Sequence, residues 1–217
     1  VCAAFTAEDI AQADLRLASL VFASLWPERV QAVPAIRFEH SPGRSDITYT
    51  GDRSAFDVFV EHTLPAGGSG FIGIEVKYHE NLKVASAELR PRHEEVARAM
   101  GCFQEAQLPT LRCAPLEQIW RDHLLAGSML ATGKWASGLY VFLHPAGNVQ
   151  CTRAAAAYTE CLVNSATFAT MTLERIVAEL GRHSEASWVA ELRDRYLGWE
   201  KIDEYLGRNV QENEISL

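Results

Sequence analysis

The sequence predicts an α/β protein: a mixed β-sheet flanked by helices, in the order helix, three strands, helices, strand, followed by a helical C-terminal subregion. Three observations carry that expectation. Ala55-Phe56-Asp57-Val58-Phe59-Val60 and Phe71-Ile72-Gly73-Ile74-Glu75-Val76-Lys77-Tyr78 are short β-branched and aromatic runs of the kind that form buried strands. Between them, His62-Thr63-Leu64-Pro65-Ala66-Gly67-Gly68-Ser69-Gly70 reads as a hairpin loop. On both sides of the hairpin, apolar residues recur at helical spacing.

Each element has its own signal. Thr6 with Asp9 resembles a helix-capping pattern, and Ile10, Ala13, Leu17, Leu20 and Val21 keep helical period as far as Trp26-Pro27. Residues 33–39 suit a first strand, with the hairpin strands near 55–61 and 71–78. Pro91 fits a helix's first turn and Gly101 its end, giving a helix over Pro91–Met100. Pro115 opens a second, with Leu116, Ile119, Trp120, His123, Leu124 and Leu130 as its apolar stripe. Residues 138–144 form a buried strand stopped by Pro145-Ala146-Gly147-Asn148. Beyond Gln150 the pattern is helical over 152–162, 170–180 and 185–206, anchored by Tyr158, Phe168, Trp188, Tyr196 and Trp199. With no internal repeat or linker, the chain reads as one domain over 1–217: a core of about 6–145 and the helical subregion of about 150–206.

The hairpin strands carry charge where buried strands have none. Burying an unpaired carboxylate is costly or forces it to take up a proton. Side chains alternate along a strand, so Glu75 and Lys77 share one face while Ile74, Val76 and Tyr78 share the other. On the earlier strand Asp57, Phe59 and Glu61 fall together, opposite Phe56, Val58 and Val60. A hairpin symmetric about Ala66 sets Asp57 directly across from Glu75, where like charges repel and a bound cation turns repulsion into attraction. A one-residue slip would separate the two acids. The competing reading is a solvent-facing strand pair held by a cross-strand salt bridge.

Asp57 followed by Glu75-Val76-Lys77 resembles the D…(D/E)xK signature of the PD-(D/E)xK, restriction-endonuclease-like nuclease superfamily. The longer text, Phe38-Glu39-His40-Ser41-Pro42, Phe56-Asp57 and Gly73-Ile74-Glu75-Val76-Lys77-Tyr78-His79-Glu80, is similar to an uncharacterised bacterial nuclease-like branch of it. The resemblance covers about residues 30–145, and Phe56 stands where the name-giving Pro would be. It implies a restriction-endonuclease-like αβββαβ core. It further implies that Asp57 and Glu75, with the Val76 carbonyl, bind Mg²⁺ or Mn²⁺, and that Lys77 positions or activates the attacking water. The expected function is metal-dependent hydrolysis of phosphodiester bonds, in DNA ahead of RNA. The alternative is a catalytically silent nuclease-fold module that binds a partner or nucleic acid within a larger assembly.

Three further residues belong beside this set. Glu39 is either an additional acid at the metal or a solvated strand end. Gln118 and Arg121 lie three residues apart on one helix, thus on one face, away from the apolar stripe. Several branches of the superfamily place a Gln or Arg on a helix beside the active site; a solvated helix face is the other reading. Glu61 and Glu80 are weaker candidates.

Composition bounds the rest. A net charge of −8 is the wrong sign for gripping nucleic acid with the whole surface. A local basic wall from Arg37, Arg44, Arg53, Arg90, Arg92 and Arg98 is one way to compensate, while a solvated surface arginine is the better reading of each taken singly. Lysine is confined to Lys77, Lys83, Lys134 and Lys201. No run approaches the ~20 apolar residues of a membrane span, and Glu8, Asp9 and Asp14 are unlike a basic leader. Cys2, Cys102, Cys113, Cys151 and Cys161 include no CxxC pair, which suits free buried thiols in the cytoplasm. There is no HxH, HExxH, Walker A or GxSxG motif, and the glycine-rich Gly67-Gly68-Ser69-Gly70 leads into a strand rather than a helix, which suits a flexible loop tip. A homodimer or larger assembly stays open.

Overall fold

The computed structural model of the chain describes residues 15–79, 82 and 89–198. Helix α1 (Leu15–Leu25) leads into strands β1 (Ala32–His40), β2 (Phe56–Thr63) and β3 (Ser69–Val76). Helix α2 (Pro91–Met100), a 3₁₀ turn (Glu105–Gln107), the short α3 (Leu108–Leu111) and α4 (Glu117–Ala131) follow. Strand β4 (Ser137–His144), α5 (Val149–Glu160), β5 (Phe168–Thr172), α6 (Leu173–His183) and α7 (Ser187–Tyr196) complete the described fold. The five strands form one mixed sheet in the order β1-β2-β3-β4-β5. The β1-β2 and β2-β3 pairs are antiparallel; β3-β4 and β4-β5 are parallel.

Helices cover both faces, which is why β3 and β4 are almost continuously apolar and buried after their first residue. On one face Phe59, Phe71, Tyr140 and Phe142 pack under Ile119, Trp120 and Leu124 of α4 and Tyr158 of α5. On the other, Val58, Val60, Ile72, Ile74, Val141 and Leu143 meet α1 through Val21 and Leu25 and α6 through Leu173 and Ile176. The sheet is thus the middle of three layers, and α4 is the helix laid over the charged hairpin.

The boundaries follow local chemistry. Pro91 occupies the first turn of α2, and Gly101 ends it with φ 62°, the left-handed conformation glycine adopts freely. Asn148 caps α5 by accepting from the Cys151 amide, and Thr172 caps α6 by accepting from that of Arg175. The Thr6–Asp9 capping pattern lies outside the described residues, as do Cys2, Glu80 and Trp199.

Three expectations need correcting. Residues 168–172 form β5, although the sequence pattern predicts a helix from 170, with Phe168 and Met171 buried and Tyr140 of β4 opposite Phe168. Its alternating Thr and apolar residues suit a strand, and α6 starts three residues later than expected. The described part of the last helix covers Ser187–Tyr196, shorter than 185–206. Cys113 is exposed, whereas Cys102, Cys151 and Cys161 are buried, and all four are free thiols. Among the described residues no helix is long and apolar enough to cross a membrane.

Candidate active site

The hairpin closes in the expected register. Thr63 opposes Ser69, Val60 opposes Ile72 and Val58 opposes Ile74, symmetric about Ala66. Continued one step, that register sets Asp57 across from Glu75. On its other side Asp57 faces Glu39, because β1 pairs Phe38 with Val58 and His40 with Phe56. Glu39 is exposed and holds φ 48°, uncommon for a residue other than glycine.

At Asp57 the ladder changes character. Its Oδ2 accepts the Val76 amide at 2.7 Å, so a side chain caps the backbone where strand pairing ends. Phe56 departs from the alternation expected of it. Its ring lies with Phe59 and Phe71, at centroid distances of 6.1 and 6.5 Å, not with Val58 and Val60. Gly73 permits this, since a Cβ there would stand 2.6 Å from Phe56 Cε1.

Glu75 and Lys77 share a face, as alternation requires, and Nζ of Lys77 donates to Glu75 Oε1 at 2.6 Å. Gln118 of α4 donates its Nε2 hydrogen to the same oxygen at 2.7 Å. Glu75 is only 5% exposed. Burial pushes its pKa up to about 7; Lys77 works against the rise, while Asp57 and Glu39 add to it. Burial pulls the Lys77 ammonium down, but Glu75 first, then Asp122 and Asp57, hold its pKa above the ordinary value. Of the three acids at the strand ends, Glu75 is the one out of water, and its two neighbours disfavour its charged form further.

The sequence model of the PD-(D/E)XK nuclease superfamily matches residues 7–198. The chain belongs to that superfamily. No curated protein matches it, and no solved structure does. The mixed five-stranded sheet with its flanking helices is consistent with the restriction-endonuclease-like fold. Superfamily members generally use divalent metals. Among the described residues no three His, Cys, Asp or Glu side chains converge to hold an ion by themselves. The donor set still fits Mg²⁺, which keeps several waters and takes one or two carboxylates. Asp57 and Glu75 offer two, in a place where like charges otherwise repel.

Two buried polar groups that the sequence did not single out lie on or against α4. Asp122 lies one turn beyond Gln118 on α4, is buried, and its Oδ2 has no hydrogen-bond partner. Burial, then Glu75 and Asp57, raise its pKa well above the carboxylate range against the pull of Arg121 and Lys77. The Tyr140 hydroxyl is likewise buried without a partner; burial, then Asp122, push its pKa up. The signal was present: an Asp inside the stripe Ile119-Trp120-Arg121-Asp122-His123-Leu124 sits where a helix turns toward a core.

The second group is built around Asp52, in the loop before β2. Its carboxylate accepts from Thr50 Oγ1 at 2.7 Å, the Ser54 amide at 2.9 Å, Ser54 Oγ at 3.0 Å and Arg121 Nε at 3.3 Å. The fully buried His93 lies 3.0 Å away through Nε2. Its Nδ1 accepts the Arg90 amide, leaving Nε2 as the donor to Asp52. Burial lifts the Asp52 carboxyl, but bonds from His93, Thr50 and Ser54 outweigh it and hold it well below its usual range. Arg121, proposed from sequence beside the metal, is thus turned toward Asp52, Ser54 and Glu117, while Gln118 touches Glu75.

The expected basic wall is broken up. Arg37 pairs with Glu61, Arg92 with Glu95, and Arg98 with Glu94 and Glu105. Arg90 donates to the Gly51 carbonyl. Arg44 and Arg53 are exposed and make no ion pair among the described residues.

Proposed function

We propose that the chain is a divalent-metal-dependent nuclease hydrolysing phosphodiester bonds, in DNA ahead of RNA. Asp57, Glu75 and the Val76 carbonyl are the groups that would hold Mg²⁺ or Mn²⁺, hard ions suited to oxygen ligands. One observation carries the reading: the buried Glu75 carboxylate, held by Lys77 at 2.6 Å, stands where the β2-β3 pairing ends, beside the half-buried Asp57 that accepts the Val76 amide. A divalent ion in such a site supplies Lewis-acid polarisation of a phosphate oxygen and lowers the pKa of water. Lys77, which donates to Glu75 Oε1 at 2.6 Å, would orient the nucleophile and balance charge on the phosphate. Gln118, donating to the same oxygen at 2.7 Å, would keep the Glu75 carboxylate in place. Glu39, across from Asp57, is an additional acid at the rim. The four free cysteines among the described residues support a reducing, cytoplasmic setting.

The net charge of −8 supports a second reading, a catalytically silent nuclease-fold module that binds a partner within a larger assembly. One substitution separates the two. Lys77→Met keeps the apolar stem and deletes the charge. Nicking of plasmid, linear duplex, single-stranded DNA and RNA is measured with Mg²⁺ or Mn²⁺. The nuclease reading expects cleavage that falls on the order of 10²–10³ in rate in K77M, as for loss of one preorganised transition-state contact. Cleavage undiminished in K77M contradicts the mechanism, and wild type inert on every substrate favours the silent module.

A further inference from the structure

The loop between β1 and β2, residues 41–55, is rigid at its root and apolar at its crest. Its ends are closed by the Ser45 amide donating to the Asp52 carbonyl at 2.5 Å. Within it the Asp46 carbonyl accepts the amides of Tyr49 and Gly51, each at 3.1 Å, and the Asp46 carboxylate accepts that of Thr48 at 2.8 Å. Gly51 takes φ 71° to complete the turn. Arg92 of α2 holds the outer backbone, donating to the Tyr49 carbonyl at 3.0 Å and the Thr48 carbonyl at 3.2 Å. Thr50, Asp52 and Ser54 are buried. Through Asp52 and Ser54 the root is fastened to Arg121, three residues along α4 from the Gln118 that holds Glu75.

Against that buried root, Ile47 is 77% exposed, the most exposed large apolar side chain among the described residues. A single exposed Ile needs no explanation by itself. Here it stands on a braced loop that joins the strand of Glu39 to the strand of Asp57, and in sequence it falls between Arg44 and Arg53, which are exposed and make no ion pair among the described residues. In a chain of net charge −8, two such cations on the loop that leads into Asp57's strand are the complement an approaching phosphate backbone requires.

Building on the nuclease reading, we propose that this loop is a DNA-engaging wedge. Arg44 and Arg53 hold phosphates of a duplex, and Ile47 presses against a base step, so that DNA whose stacking is already weakened is preferred. Apolar side chains that unstack a step gain most where the step is easiest to open.

The test separates the loop from the chemistry. Binding of a matched duplex and of the same duplex with one mismatch is measured by fluorescence anisotropy over a salt series, in the K77M background with Mg²⁺. Cleavage of both duplexes is followed in the Lys77-containing protein. All three side chains are exposed, so Ile47→Ala and the double variant Arg44→Ala/Arg53→Ala fold as the parent does, which thermal melting checks. The expected result is a mismatch preference of about tenfold that I47A reduces to near unity. The double arginine variant weakens both duplexes alike and flattens the salt slope by about 2, as for two lost phosphate contacts. A mismatch preference retained by I47A, or a salt slope unchanged without the arginines, overturns the wedge while K77M-sensitive cleavage leaves the nuclease standing. Engagement of single strands or RNA alone also overturns it. If no nucleic acid is bound or cut, the nuclease reading falls first and the wedge with it.

Discussion

Helix α4 carries two buried polar clusters within a turn and a half, and they are opposites. At Arg121, Asp52 is surrounded by donors from Thr50, Ser54, His93 and α4 itself, and its pKa is held well below the ordinary value. At Gln118 and Asp122, acids outnumber donors: Glu75 and Asp122 are both raised, and Asp122 Oδ2 has no partner. Both are polar, buried and charged, so burial alone does not distinguish structure from chemistry. Satisfaction does. The first cluster is at rest and ties the loop, α2 and α4 together. The second is short of donors, so burial drives its carboxyls toward their protonated forms, the kind of perturbed group found at functional sites.

The largest test applies one chemical change to both clusters. Asp52→Asn removes the charge that His93 and Arg121 surround, and breaking such a buried arrangement costs about 3–5 kcal/mol. Asp52 is depressed in the folded state, so its contribution is present above the unfolded pKa and is lost as pH falls through the folded one; the D52N penalty shrinks in acid. Asp122→Asn has the opposite sign. Asp122 is raised, so its stabilising share is present below the unfolded pKa and is lost as pH rises toward the folded one. The metal-free D122N protein therefore matches wild type near pH 4 and exceeds it at pH 8. Urea unfolding at both pH values with EDTA decides it; equal losses from the two substitutions would erase the distinction between the clusters.

Next in size is Glu75→Gln. With a folded pKa of about 7 against the ordinary 4.5 of a glutamate, Glu75 stabilises the metal-free fold least once pH has passed the folded value. The difference corresponds to roughly 3 kcal/mol at 1.36 kcal/mol per pKa unit. E75Q should gain about that much at pH 8 in EDTA and little at pH 4. Adding Mg²⁺ or Mn²⁺ should raise the melting temperature of wild type but not of E75Q, by linkage of ion binding to folding. A wild type whose stability is indifferent to both pH and metal would mean that the second cluster is as satisfied as the first.

How visible these clusters are in the sequence differs for physical reasons. Asp57, Glu75 and Lys77 stand out because charge interrupts apolar strands, and the Gly-rich turn sets a register that pairs the acids. Gln118 could be placed on a helix face, but which partner it reached depended on the crossing of α4 over β3. Asp52 sits in a polar, Gly-containing loop where acids are ordinary turn residues, so its burial under His93 is a tertiary fact. Asp122 is masked by its neighbours, since helical periodicity tolerates one polar residue in a stripe. Phe56 breaks strand alternation only because Gly73 leaves room for its ring. Strand β5 is five residues long and passes into α6 without a Gly or Pro between them, so no punctuation marks the change of period.

The smallest expected effect asks whether the clusters are independent. Gln118→Leu removes one donor from Glu75 Oε1, now at 2.7 Å, and leaves Lys77 on the same oxygen. Loss of one such bond costs about 1 kcal/mol. The cost should appear above pH 7, where Glu75 is ionised, and vanish below pH 5. It should also push the Glu75-linked stability transition to higher pH, since a donor that favours the charged form is gone. Asp52 and His93 share no bond with Gln118, so the acid limb of the stability curve should keep its position. Urea unfolding of metal-free Q118L across pH 4–9 reads both limbs. A loss as large as that of D52N, or a shift of the acid limb, would mean that α4 couples the two clusters into one network, and that the cation site cannot be altered without loosening the loop above it.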